Sequence, residues 1–123
     1  MKILQVAQRA TDLQRATAFY TTLLGQPPVA SFDPPGLVFF DVAGTRLVLD
    51  RAAPSALIYL TVPDVRVSVA TLRADGVVIE TEPHLIFMHE DAALGPTGTA
   101  EWQAFVRDSE GNLVGLVSHL PPE

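Results

Sequence analysis

Two segments of the chain repeat their apolar residues at helical spacing, and capping residues bracket each segment. In Asp12–Leu24 the apolar positions fall three or four residues apart, which is the periodicity of a helix with one buried face. Gly25 follows as a stop signal. The second segment opens at Asp64 and ends at Gly76. The pattern therefore predicts two amphipathic helices, each with an Asp at its start.

Shorter runs of β-branched and aromatic residues occupy most of the remaining sequence, and turn-forming residues separate them. Pro83 interrupts one run, and the stretch from His89 to Ala100 contains two Gly and one Pro, which is typical of a loop. Residues from Leu120 onward read as a tail. The predicted strands are Ile3–Ala10, Val29–Phe32, Leu37–Val42, Arg46–Asp50, Ala56–Val62, Val77–Met88, Glu101–Arg107 and Leu113–Ser118.

The order of one strand, one helix and three strands occurs twice. The two helix starts lie 52 residues apart, whereas the two module ends lie 67 residues apart. The excess of 15 residues falls between Val77 and Ala100, so the second module carries an insertion. Inserted loops of a repeat often line its binding face. We expect one domain over residues 1–123, with module one at 1–51 and module two at 56–119.

Composition limits the kinds of partner that the protein is expected to bind and the compartment in which it is expected. The chain has 123 residues, of which 48% are apolar, so it can build a core as a single domain. With 8 basic and 14 acidic residues the net charge is −6, and the basic residues are scattered, which argues against nucleic acid and against anionic membranes. There is no Cys, no signal-peptide pattern and no apolar run of spanning length. A cytoplasmic location is the expectation.

Two motifs resemble those of a known family. Asp12-Leu13-(five residues)-Phe19-Tyr20-(three residues)-Leu24-Gly25 resembles the first-helix signature of the vicinal-oxygen-chelate superfamily of glyoxalases, bleomycin-resistance proteins and dioxygenases. Asp108-(two residues)-Gly111-Asn112, which follows Phe105, resembles that family's closing motif. The resemblance implies an α+β fold of two βαβββ modules. Their strands would form a curved eight-stranded mixed sheet around a cavity, with the helices outside, and the protein would be a homodimer.

Metal-dependent relatives hold a divalent ion inside this cavity with His, Glu or Gln. The resemblance places the four ligand positions at Gln5, Val48, Leu57 and Gly115. Among them, Gln5 alone offers a ligand atom, and a stable site usually needs three or four. We therefore predict no metal and no cofactor, and interpret Gln5, Leu57 and Gly115 as ligand-binding positions. A shift of one residue would bring Asp50 or His119 nearer, but it would also turn the side chains to the other face.

Three side chains are candidates for acid–base chemistry. Alternation along the strand puts His84 on one face, where it is either a general base in the cavity or a partly buried residue with a hydrogen-bond partner. Glu101 begins an apolar strand and is either a base or a solvated strand end. We interpret His89, which precedes two acidic residues, as part of a solvated loop, with metal or base chemistry as the alternative.

Three aromatic residues are predicted to line the cavity, with plain core packing as the alternative: Tyr59, Trp102 and Phe105. Three interpretations of function remain. The first is metal-independent binding of a small hydrophobic molecule in the cavity. The second is an enzyme, a lyase or isomerase that acts on a carbonyl compound. It is either metal-free, with His84 or Glu101 as base, or it carries a metal at a position that the motifs do not identify. The third is a dimerising scaffold without a ligand.

Overall fold

The computed structural model describes residues 3–123, and its elements follow one another in the predicted order. Eight strands and two helices are present in this range, and most bounds agree with the sequence pattern to within two residues. The elements are β1 (Gln5–Arg9), α1 (Leu13–Leu24), β2 (Ala30–Phe32), β3 (Leu37–Val42), β4 (Thr45–Asp50), β5 (Ile58–Thr61), α2 (Val65–Ala74), β6 (Ile79–Met88), β7 (Ala100–Arg107) and β8 (Leu113–Leu120).

The caps at both helix starts and at the end of α1 are those that the sequence predicts, whereas α2 has Asp75 as its C-cap, one residue before Gly76. Asp12 is extended, and its carboxylate accepts a hydrogen bond from the backbone N–H of Arg15 at 3.0 Å. Gly25 ends α1 in the left-handed conformation, with φ 70°, which a residue without Cβ adopts at little cost. Asp64 caps α2 through the N–H of Arg66 at 2.9 Å. Because each Asp is a cap, each helix begins one residue later than its Asp.

The strands form two mixed four-stranded sheets, with the orders β1-β4-β3-β2 and β5-β8-β7-β6. Within each sheet the first and last strands of the module pair in parallel, and the other pairs are antiparallel. A parallel pair needs a long crossover, and the helix of each module lies in that connection. The α+β fold of two βαβββ modules is thereby confirmed, with the eight strands divided between two sheets of four.

The chain divides into two compact units. The first unit comprises the chain up to Ala56 together with Asp108–Asn112. Its core includes Tyr20, which is fully buried and whose hydroxyl donates to the Asp108 carboxylate at 2.7 Å. The neighbouring Phe19 is half-buried and packs edge-on against Tyr20. The burial of Tyr20 follows from the helical phase, since it lies four residues after the buried Ala16.

The second unit comprises Leu57–Arg107 and Leu113–Glu123, with α2 packed on its sheet. The predicted strand Val77–Met88 is present despite Pro83. β6 runs through Pro83, because β6 is an edge strand and the register with β7 shifts between Thr81 and His84. The prediction that the last strand ends at Ser118 is wrong, since β8 continues to Leu120 and His119 is a strand residue.

Candidate functional site

Alternation along β7 sends its side chains to two different faces of the second sheet. Trp102 lies on the face of α2, where the guanidinium carbon of Arg66 is 5.6 Å from its ring centroid. Glu101 and Phe105 lie on the opposite face, which we call the open face. The prediction that Trp102 and Phe105 line one pocket is therefore wrong, because residues an odd number apart in a regular strand point to opposite faces. The open face also carries Tyr59, His89, Gln103, Gly115 and His119.

One end of the open face is aromatic. The rings of Tyr59 and Phe105 meet edge to face at 5.7 Å, and they lie over Gly115. A Cβ at Gly115 would be 2.7 Å from Cδ2 of Tyr59 and 3.1 Å from Cε1 of Phe105. Tyr59 is 53% exposed, and Leu57, just before β5, is 46% exposed. The structure thus brings together Tyr59, Phe105 and Gly115 of the predicted ligand-binding residues.

The other end of the open face holds a polar cluster. Glu101 and His119 are direct partners in the antiparallel pair of β7 and β8. Nε2 of His119 donates to Oε1 of Glu101 at 3.2 Å, and Nε2 of His89 donates to the same oxygen at 2.9 Å. The second carboxylate oxygen of Glu101 accepts from the side-chain amide of Gln103 at 2.8 Å. We call His89, Glu101 and His119 the His–Glu–His cluster.

Burial separates this cluster from an ordinary surface ion pair. The side chains of His89, Glu101 and His119 are 2%, 12% and 23% exposed. The interpretation of His89 as a solvated loop residue is therefore wrong, and Glu101 is not a solvated strand end. Burial acts to raise the pKa of Glu101, but the hydrogen bonds from Gln103, His89 and His119 outweigh it and hold that pKa below its usual value. Glu101 is consequently a carboxylate at neutral pH.

The inserted loop closes on the cluster. The N–H of His89 donates to the Thr99 carbonyl, and the N–H of Gly98 donates to the His89 carbonyl, both at 2.8 Å. These two bonds fix the base of the loop. The ring of Phe87 lies 4.4 Å from that of His89. Gly95 approaches both imidazoles: a Cβ there would be 2.7 Å from Cε1 of His89 and 2.9 Å from Nε2 of His119.

The candidate base His84 lies outside the cluster. It is half-buried, pairs in register with Gln103, and its Nδ1 lies 3.0 Å from the Glu82 carbonyl oxygen. The register places His84 beside the residue that holds Glu101. The local contact with Glu82 is the hydrogen-bonded arrangement that the sequence left open as the alternative.

The four family-type metal positions do not fit a metal ion. Gln5, in the first unit, accepts a hydrogen bond from Nε of Arg46 at 3.1 Å. Val48 and Leu57 offer no ligand atom, and Gly115 lies beneath two aromatic rings. None of these positions supplies His or Glu.

A shallow groove of about 350 Å³ lies in the first unit. Its wall is mostly apolar and includes Phe32 and Val38. The one carboxylate in the wall, Asp33, is paired with Arg51 at 3.3 Å. The groove offers apolar contact but no cluster of acid–base groups.

No sequence motif identifies the His–Glu–His cluster directly, but the spacing around one turn predicts part of it. The predicted turn Asp108–Asn112 joins two antiparallel strands. Counting seven residues outward from each end of this turn gives Glu101 on one strand and His119 on the other. The predicted last strand ends at Ser118 and so excludes His119, which is why the pairing of Glu101 with His119 is missed. The approach of His89 depends on the path of the inserted loop, which no periodicity predicts.

The class of this protein is defined by its two βαβββ modules, in each of which the first and last strands pair in parallel. The family model for the Glyoxalase/Bleomycin resistance protein/Dioxygenase superfamily matches residues 2–116, and the chain belongs to that superfamily. No curated protein matches the chain in sequence. Over residues 3–123, neither helix has the length and apolar character needed to cross a membrane.

Solved structures from several bacteria share the fold. A lactoylglutathione lyase from Agrobacterium tumefaciens is 22% identical, with a TM-score of 0.68 over 95% of this chain and 92% of that chain. A glyoxalase/bleomycin resistance protein/dioxygenase from Alicyclobacillus acidocaldarius is 19% identical, with a TM-score of 0.66 over 96% and 91%. A glyoxalase/bleomycin resistance protein from Albidiferax ferrireducens is 20% identical, with a TM-score of 0.66 over 94% and 97%. At these identities the likeness shows the fold alone.

Proposed function

We propose that the protein binds a small, largely apolar molecule on the open face of the second sheet, without a metal ion at the family-type positions. The observation that carries this proposal is the aromatic pair of Tyr59 and Phe105 on a face whose other end is a buried polar cluster. Ligand sites are typically apolar and aromatic, with a few fixed polar groups that orient the ligand.

The apolar part of the face supplies the driving force. Tyr59 and Leu57 are about half exposed, and Phe87, next to the cluster, is 37% exposed. Each Å² of apolar surface that a ligand removes from water contributes about 25 cal/mol. Gly115 supports this role, since its missing side chain lets the rings of Tyr59 and Phe105 lie against the sheet.

The polar end selects the ligand. Glu101 carries a charge that three hydrogen bonds already satisfy, so it repels a negative group more than it attracts a donor. His119 is the most exposed member of the cluster and is the group that a ligand reaches. A neutral apolar body with one polar atom directed at His119 fits this arrangement better than an anion does.

Fluorescence titration with the neutral dye N-phenyl-1-naphthylamine tests the proposal. The dye should bind with one site per chain, and Tyr59→Ala should weaken binding at least about tenfold, the equivalent of roughly 1.4 kcal/mol. The matched control is Phe32→Ala, because Phe32 is also 53% exposed but lines the groove of the first unit. Loss of binding in Phe32→Ala with retention in Tyr59→Ala would contradict the proposal.

The second candidate is a lyase or isomerase that acts on a carbonyl compound, with His84 or Glu101 as base. The His–Glu–His cluster favours it, because a buried carboxylate between two imidazoles is a means of moving a proton. The lowered pKa of Glu101 argues against that residue as the base, since a weak base accepts a proton poorly at neutral pH. Hydrogen–deuterium exchange beside the carbonyl of a methylglyoxal–glutathione adduct tests the candidate. Exchange that His84→Ala abolishes while the variant stays folded would support it.

Homodimerisation and a cytoplasmic location remain predictions. A second copy that covers Leu57 and Tyr59 would use the same exposed surface as the ligand. Sedimentation equilibrium with and without the dye distinguishes the two occupants, because a competing dimer dissociates when the dye binds.

A further inference from the structure

We infer that His89, Glu101 and His119 form a binding site for one divalent transition-metal ion. This site is distinct from the four family-type positions, which do not fit a metal ion. It also goes beyond the proposed function, since dye binding at Tyr59 and metal binding at the cluster can each occur alone. The inference rests on the spacing of the ligand atoms, their chemistry, and the space beside them.

Two of the three spacings match those of atoms around one ion. The three ligand atoms lie within 4.8 Å of one another, and the Nε2–Oε1 distances are 2.9 Å and 3.2 Å. Ligands at about 2.0–2.1 Å from zinc are roughly 2.9 Å apart at a right angle and roughly 3.4 Å apart at the tetrahedral angle. The two nitrogen–oxygen distances fit this range. The two histidine nitrogens, within 4.8 Å of each other, come close enough to share one ion through a rotation of the more exposed His119 side chain.

The ligand chemistry selects a class of ion. Two imidazoles and one carboxylate suit zinc, iron(II), cobalt(II) and nickel(II), whereas calcium and magnesium prefer all-oxygen sites. Three protein ligands leave further coordination positions for water or another molecule. His119, the most exposed ligand, marks the side from which such a molecule arrives.

The space beside the nitrogens depends on Gly95. A Cβ at Gly95 would lie 2.9 Å from Nε2 of His119 and 3.0 Å from Nε2 of His89. The glycine therefore keeps a side-chain carbon away from both nitrogens at once. An ordinary loop residue here would put its Cβ against both of them.

The surroundings already orient the ligands. Gln103 donates to Oε2 of Glu101, which leaves Oε1 directed at the imidazoles. Phe87 packs against the His89 ring, and two backbone bonds hold His89 at the base of the loop. Support of this kind commonly fixes metal ligands in place. Metal binding requires the lone pair of each Nε2, so both histidines must carry their proton on Nδ1 in the bound form.

Cobalt(II) chloride and zinc chloride, added to chelator-treated full-length protein, test the inference. Calorimetry should give one zinc ion per chain, and cobalt should produce the visible absorption of a site with fewer than six ligands. His119→Ala should weaken zinc binding at least about tenfold, since even loss of a supporting group costs 10–100-fold. His84→Ala is the matched control and should bind as the wild type does. Absence of binding, or equal loss in His84→Ala, would overturn the inference.

A measurement on the unaltered protein guards against a variant that fails to fold. In the proton NMR spectrum, cobalt(II) should shift or broaden the ring signals of His89 and His119 at low occupancy. The His84 signals should respond more weakly. Preferential broadening of His84 would place the ion elsewhere and would contradict the inference. Dye titration of the metal-free protein is evaluated separately. A failure of dye binding therefore contradicts the proposed function alone, and a failure of metal binding contradicts the metal site alone.

Discussion

Oε1 of Glu101 lies 3.2 Å from Nε2 of His119, directly across the pair of β7 and β8. The two residues are seven positions from opposite ends of one turn, so the register of a single hairpin sets their distance. The inserted loop adds His89 to the same oxygen at 2.9 Å. A buried polar cluster on an otherwise apolar face is costly unless each group is paired, and here the members pair with one another.

Gly95→Ala should impair the cluster. Its Cβ would be 2.7 Å from Cε1 of His89, so the loop or the ring must move. We expect a loss of about 1–3 kcal/mol in the free energy of unfolding, measured by urea denaturation, as for other overpacked sites. Leu94→Ala, at the adjacent and 78% exposed position, is the control and should change stability by less than about 0.5 kcal/mol. Equal stability of the two variants would contradict this prediction, because it would show that the loop accommodates the added Cβ without loss of stability.

Gly115→Ala should weaken dye binding more than it weakens the fold. The added Cβ meets the rings of Tyr59 and Phe105, and Tyr59 can swing into solvent because it is half exposed. We expect a stability change near 1 kcal/mol together with a loss of dye affinity of about tenfold. The double variant Gly115→Ala/Tyr59→Ala should recover part of the stability, since the clash with Tyr59 is gone. If Gly115→Ala bound the dye as the wild type does, the pair of rings would not form the binding surface.

Tyr20→Phe should destabilise the first unit. The hydroxyl of Tyr20 donates to the buried carboxylate of Asp108 at 2.7 Å, and burial raises the pKa of Tyr20 above its usual value, so the hydroxyl stays protonated. Removal of a hydrogen bond to a charged group should cost about 1.5–3 kcal/mol in thermal or urea unfolding. Tyr59→Phe, which removes an exposed hydroxyl, should cost less than about 0.5 kcal/mol. A neutral result for Tyr20→Phe would mean that water replaces the lost donor.

Glu110 should confer stability that depends on pH. Its side chain is 4% exposed and accepts bonds from the Asp12 N–H at 2.9 Å and from Nε of Arg15 at 2.7 Å. Burial acts to raise the pKa of Glu110, but these bonds outweigh it, so the folded pKa lies below the ordinary value of 4.5. A lowered folded pKa stabilises the fold above pH 4.5, and that contribution disappears as the pH falls through the folded pKa.

Urea denaturation of Glu110→Gln from pH 7 to pH 3 measures this contribution. The variant should be less stable than the wild type by about 1–2 kcal/mol at pH 7, and the difference should shrink below pH 4.5. Asp33→Asn, which breaks an exposed pair with Arg51, should show little difference at any pH. A difference for Glu110→Gln that stayed constant with pH would show that the carboxylate charge is not responsible.

Local signals in the sequence predict the fold well. Helical spacing and the two Asp caps give both helices, and the repeated order of elements gives the two modules. The sequence predicts a strand that runs through Pro83 but not its place in the sheet. A Pro breaks a central strand and is tolerated at an edge, and the edge position of β6 is a long-range property. The prediction that Trp102 lines the same pocket as Phe105 is wrong for a simple reason. Strict alternation along the strand already places the two side chains on opposite faces.

The candidate site is harder to predict because its parts meet through long-range structure. Strand alternation places Glu101 and Phe105 on one face, and the hairpin register adds His119. The burial of His89 depends on the fold of an eleven-residue stretch between Met88 and Ala100, where Gly95 admits the backbone against two rings. The two acidic residues after His89 favour the interpretation of a solvated loop. In the structure, two backbone hydrogen bonds hold His89 at the base of the loop instead.

The central claim is that a small apolar molecule binds on the open face of the second sheet. Its most direct test is the two-dimensional NMR spectrum of labelled protein during titration with N-phenyl-1-naphthylamine. We predict that the largest shifts fall on Tyr59, Phe105 and Gly115, with smaller changes at His119. Shifts confined to the groove of the first unit, around Phe32 and Val38, or an unchanged spectrum at saturating dye, would contradict the claim.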